Sequence, residues 1–117
     1  MSSFPKQQHL KQPLVISELV SHGKTTFKYP LKAFYAPSGE LPRYAISVPK
    51  KHFKRAVKRN LLKRRIREAI RLNQGDVASG KSRPANDYLI VYVAHELCPY
   101  DVINAAVRDI LSTSNSQ

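Results

Sequence analysis

Acidic side chains are scarce in this 117-residue chain: eight Asp and Glu stand against twenty Lys and Arg, for a formal net charge of +12 and a pI near 10.1. That imbalance points to a polyanionic partner, because clustered cations concentrate phosphates and release condensed counterions on binding. Nucleic acid and an anionic membrane surface are the two candidates. Cysteine is scarcer still. Cys98 stands alone, which rules out an internal disulfide, and one thiol with the scattered His9, His22, His52 and His95 does not make a zinc site of paired-ligand spacing. No apolar run approaches the roughly 20 residues that span a bilayer, and the N-terminal MSSFPKQQHLKQ lacks the apolar core of a secretory signal. A soluble, cytoplasmic protein is expected. Catalytic constellations are missing as well: there is no carboxylate pair, triad or metal cluster, and Asp76, Asp87, Asp101 and Asp109 read as linker, cap and surface residues.

What is present suffices for one domain with one modest core, the apolar fraction being 42%. Residues 1–12 and 113–117 are polar and are expected to fray. From Pro13, PLVISELVSHGK predicts a short helix ending at about His22, with Gly23 as its cap. Phe27 to Ala36 alternates between two faces and predicts a strand; Arg43 to Pro49 predicts a second, and the two are expected to form an antiparallel hairpin. Asn73 to Asp87 is a polar linker, expected to be mobile. Asp87 to Ala94, DYLIVYVA, is apolar throughout, the pattern of a central strand buried on both faces. Pro99 to Ser112 predicts an amphipathic helix with Asp101 in its first turn. The order implies an α+β sandwich, one sheet with helices packed against it.

Charge concentrates in KKHFKRAVKRNLLKRRIREAIR, Lys50 to Arg71, which holds eleven of the twenty basic residues. At about 100° per residue, Leu62, Ile66, Ala69 and Ile70 fall on one side and Asn60, Lys63, Arg64, Arg67 and Arg71 on the other. A solvated tail has no such phase, so the segment reads as a helix anchored by its aliphatic stripe with a cationic stripe outward; Phe53, Ala56 and Val57 are out of register with that stripe, so its N-terminal end either packs on a different element or is loop until about Arg55. Like charges at helical spacing cost a few tenths of a kcal/mol per pair, so folding alone gives no reason to keep them. Solvated faces usually mix signs, and membrane-surface helices set bulkier residues against their charges. A nuclear localisation or DNA-groove helix is another rival, but the ridge suits the phosphates of a folded RNA.

SVPKKHFKRAVKRNLLKRRIREA, Ser47 to Ala69, resembles the signature of the bacterial ribonuclease P protein component, and a weaker likeness extends over about Leu14 to Leu111. The resemblance implies an α-β-β-β-α-β-α sandwich with a central sheet and an unusual left-handed βαβ crossover, of the ribosomal protein S5 domain 2-like class. It implies a subunit of a tRNA-processing endonuclease whose active site belongs to the RNA, so that the protein alone is inactive. The implied partners are the catalytic RNA and the 5′ leader of precursor tRNA, with no membrane and no obligate protein partner. Mg²⁺ would arrive through the RNA, and none would be bound tightly by the protein.

Carried over by position, Lys54, Arg55, Lys58, Arg59, Asn60, Lys63, Arg64, Arg67 and Arg71 would face the catalytic RNA, and Asn60 can meet a hydrated Mg²⁺ through its carbonyl. Leu61 replaces the arginine of the motif; Arg65, about 40° round the helix, can take up part of that contact. The implied leader cleft lies between the sheet face and the basic helix and would use Lys32, Phe34, Ser47, Lys50 and Lys51, with Phe34 as a stacking platform or simply core. Ile16 and Val20 stand where first-helix aromatics are usual. A non-catalytic RNA-binding module, such as a ribosomal or assembly protein, is the alternative. A protein-only nuclease would need clustered acids or a His pair that the sequence does not offer.

Overall fold

The computed structural model describes residues 10–37, 42–73 and 86–115, and its elements are α1 (Pro13–His22), β1 (Lys24–Lys28), β2 (Leu31–Pro37), β3 (Arg43–Ser47), α2 (Ala56–Asn73), β4 (Asn86–Tyr92) and α3 (Tyr100–Asn115). The order is α-β-β-β-α-β-α, an α+β fold with one mixed four-stranded sheet in the order β1-β2-β4-β3.

Two expectations about the strands are corrected. The Phe27–Ala36 segment is not one strand: the Tyr29-Pro30 turn divides it into the antiparallel pair β1–β2. Nor do β2 and β3 form a hairpin. β4 lies between them, antiparallel to β2 and parallel to β3, so β3–α2–β4 is a parallel βαβ unit. The reason lies in the composition of β4. Six of its seven residues are buried, and a strand that is apolar on both faces is best satisfied in the middle of a sheet covered on both sides.

The sheet has helices on each face. Leu31, Ala33, Tyr35, Tyr44, Tyr88, Ile90 and Tyr92 point to one side, where they form the main core with Leu62, Ile66, Ala69 and Ile70 of α2 and Ile103, Val107 and Ile110 of α3. On the other side α1 covers a smaller cluster of Leu10, Leu19 and Leu89, flanked by Val15, Ile16, Phe34, Ala36, Ala45 and Val91. Helix α1 starts on Pro13, whose fixed φ suits the first helical position, and it ends at Gly23. That glycine is extended at φ −72°, so its role is space: a Cβ there would sit 2.6 Å from the Leu19 carbonyl oxygen and 3.1 Å from that of Tyr35.

The expected frayed ends hold firmer than the sequence suggests where they are described. Leu10 is buried and its backbone N–H donates to the Tyr44 carbonyl at 2.9 Å, while α3 continues to Asn115. Residues 1–9, 116–117 and most of the expected linker, residues 74–85, lie outside the described residues. At the linker's edges Asn73 closes α2, donating to the Ala69 carbonyl, and Asn86 and Asp87 are buried in β4. Asp87 is therefore not a linker residue.

Candidate nucleic-acid interface

Helix α2 has the phase its sequence dictates. Leu62, Ile66, Ala69 and Ile70 are fully buried, while Lys58, Asn60 and Arg64 are exposed and Lys63 and Arg67 half-exposed. Lys54 and Arg55, just ahead of the helix, are exposed as well. Among the described residues, none of these cations forms an ion pair. They form a ridge whose charge is free for an external anion.

The remaining arginines of the helix are engaged internally. Arg59 donates through Nη1 to the carbonyls of Phe53 and Lys54, both at 2.8 Å, and so holds the loop that leads into α2. Arg65 donates to the Cys98 carbonyl at 2.8 Å and stitches α2 to the β4–α3 connection. One N–H group of its half-exposed guanidinium is thereby committed inward, away from the position of Leu61. Arg71 forks onto Glu68, holding that carboxyl below its usual range. For Arg59 and Arg65 the cause is azimuth, since they lie about 60° to either side of Leu62 whereas Asn60 and Arg64 lie about 160° from it. Arg71 is on the outer side and is engaged by Glu68 one turn back, and Lys58, about 40° from Leu62, is exposed in the first turn of the helix.

Among the described residues no group of three or more His, Cys, Asp or Glu is placed to hold a metal ion. The helical neighbours of Asn60 are Ala56, Val57, Lys63 and Arg64, which offer one carbonyl among cations. Such a donor set suits only a hydrated ion whose charge is met by nearby phosphates.

A second surface lies on the α1 face of the sheet. Lys32 pairs in register with Val91, and Val91 with Ser47, so Lys32, Val91 and Ser47 form one line across β2, β4 and β3. Lys32 is exposed, with its Nζ 5.1 Å from the centroid of the Phe34 ring. Phe34 is half-buried, one edge in the α1 cluster, so it is neither full core nor free platform. The expected cleft between sheet and basic helix is corrected here. α2 packs on the opposite face, and that interval is filled by the main core. The two surfaces meet instead at one end of the sheet, through the Val48–Arg55 loop, which runs from Ser47 to α2 and exposes Lys50 and Lys51. The loop turns on the Pro49 carbonyl, which accepts from the His52 and Phe53 N–H groups. Ile16 packs beside Phe34 in the small cluster, and Val20 is exposed.

A family model for ribonuclease P matches residues 4–113. The chain belongs to the ribonuclease P protein family. A ribonuclease P protein component from Porphyromonas gingivalis is 43% identical over 103 residues, covering 82% of this chain and 74% of that protein. One from Idiomarina loihiensis is 40% identical over 101 residues, covering 79% and 74%. Among solved structures, a Staphylococcus aureus RNase P protein mutant superposes with a TM-score of 0.75 at 22% identity, covering 93% of this chain and 89% of that one. The RNase P protein from Thermotoga maritima gives 0.74 at 20%, covering 90% and 96%. These structural likenesses carry the fold. Family membership makes the chain a subunit of ribonuclease P, an enzyme of tRNA processing, associated with the ribonuclease P RNA. Among the described residues no helix is long and apolar enough to cross a membrane.

Proposed function

We propose that the α2 ridge, Lys54, Arg55, Lys58, Asn60, Lys63, Arg64 and Arg67, contacts the ribonuclease P RNA, and that Lys32, Phe34, Ser47, Lys50 and Lys51 receive the single-stranded 5′ leader of precursor tRNA. The complex then removes the leader to give the mature tRNA 5′ end, in the cytoplasm, with Mg²⁺ supplied through the RNA and Asn60 within reach of a hydrated ion. The observation that carries the reading is the split of α2 into a fully buried aliphatic stripe and an outward row of cations without internal acidic partners. Cations kept unpaired at helical spacing cost stability and are repaid by phosphate contacts.

Reconstitution tests it. The protein alone should cleave nothing, and adding it to its cognate RNA should restore processing of leader-bearing precursor at moderate Mg²⁺ and salt. Absence of stimulation would overturn the reading. Arg67→Ala should weaken RNA binding and lower the salt slope by about one.

A further inference from the structure

Phe27 is 58% exposed near the C-terminal end of β1, an edge strand. Burying a phenylalanine gains about 1.5–3 kcal/mol, and an apolar ring on a sheet edge invites unwanted pairing. This ring is left out for a geometric reason. Helix α1 crosses the sheet from the β3 side, where the Leu10 N–H reaches Tyr44, to the start of β1. It thus covers the cross-strand rows of Ala36 and of Phe34, Leu89 and Ala45. The next row, Phe27–Lys32–Val91–Ser47, lies at its margin.

Phe27 pairs directly with Lys32, so both side chains stand on the α1 face. Phe34 lies two residues along β2 on that same face and takes the Lys32 ammonium near its ring. The two aromatics are diagonal neighbours, about 7–8 Å apart between Cα atoms, and Lys32, the ladder partner of Phe27, holds its ammonium over the Phe34 ring. From Phe27 to Ser47 the row spans three strand spacings, about 14 Å, and the chain continues from Ser47 into the loop of Lys50 and Lys51. Aromatic faces interleaved with lysines are what unpaired nucleotides need: the π surface takes the base and the ammonium takes its phosphate.

We propose that Phe27 is a base-stacking residue, extending the single-stranded RNA platform of Lys32 and Phe34 onto the edge strand. The inference rests on the reading of this face as the leader site, and it adds a residue that the family signature does not mark. The occupant is single-stranded RNA: the flanking lysines and the net charge of +12 favour a polyanion, and the exposed aromatic rings favour one with unpaired bases.

The test uses the reconstituted holoenzyme with Phe27→Ala, Phe27→Tyr and, as a control on an exposed apolar site elsewhere, Leu72→Ala. The readout is affinity for precursor tRNA with its leader relative to mature tRNA. Phe27→Ala should lower that ratio about tenfold, within the range expected for one stacked base, while leaving mature-tRNA affinity, assembly with the ribonuclease P RNA and the melting temperature unchanged. Phe27→Tyr should keep most of the ratio and Leu72→Ala all of it. A preserved ratio in Phe27→Ala would overturn the inference while leaving the leader reading intact. A wild-type holoenzyme without any leader preference would sink the leader reading and this inference with it. A defect confined to RNA assembly or to melting would make Phe27 an assembly or structural residue and overturn its stacking role.

Discussion

Arg43 and Asp87 face each other across the parallel strands β3 and β4 and share two hydrogen bonds of 2.8 Å, Nε to Oδ1 and Nη2 to Oδ2. The Asp87 side chain is 8% exposed, the Arg43 side chain 29%, and Arg43 also reaches the Gln12 side chain ahead of α1 at 3.4 Å. One residue pair thus fixes the register of the crossover strands and ties the first helix to them. Removing the carboxylate leaves a half-buried guanidinium unmatched. Asp87→Ala should cost about 1–3 kcal/mol, below the fully buried case because Arg43 retains some solvent, and Asp87→Asn should cost less. Urea denaturation of the free protein measures both. A loss under about 0.5 kcal/mol, the level of an ordinary surface change, would show that the pair does not hold the crossover.

Two adjacent arginines should part company. Arg64 is exposed on the ridge, whereas Arg65 is spent on the Cys98 carbonyl. Arg64→Ala should lower the salt slope of RNA binding by about one and leave stability within about 0.5 kcal/mol. Arg65→Ala should keep the slope and lose about 1 kcal/mol of stability, a charged hydrogen bond discounted for partial exposure. Equal slopes for the two variants would mean that the ridge is misplaced.

Much of this was readable in advance, and the limits of the reading are physical. The α2 stripe and the buried β4 run are local patterns, and each is sharp enough to name the buried residues. Period-2 alternation also put Lys32 and Phe34 on one face. Which helix covers that face is a long-range matter, and α1 took the place assigned to α2. The insertion of β4 between β2 and β3 pairs segments some fifty residues apart, a choice that no window of sequence contains. Arg59 adds a contact that the motif alone does not reveal: its azimuth near the buried stripe lets Nη1 hold the Phe53–Lys54 loop.

Gly23→Ala offers a sharp test of the α1 packing. The new methyl would lie 2.6 Å from a backbone carbonyl oxygen, and the nearest atoms belong to backbone, which cannot swing aside. The helix end or the start of β1 must shift, at a cost on the order of 1–3 kcal/mol. Thermal melting of the variant would show it. A neutral or stabilising alanine would mean that α1 joins β1 less tightly than this geometry requires.

His52 stacks on His95 with ring centroids 3.8 Å apart, joining the Val48–Arg55 loop to the segment after β4. Its Nδ1 is shielded from solvent without a hydrogen-bond partner. Burial, the neighbouring His95 and Lys51 together hold its pKa below the ordinary 6.5. Because the folded imidazole is the weaker base, the unfolded chain takes up the proton first as pH falls through the ordinary histidine range. Stability from this group is complete above that range and is lost on descending toward the lowered folded value. The wild-type protein should therefore lose more stability between pH 7.5 and 5.5 than His52→Gln, with urea midpoints at the two pH values as the measure. Parallel losses in the two proteins would remove the histidine pair as the source of any acid sensitivity in this loop.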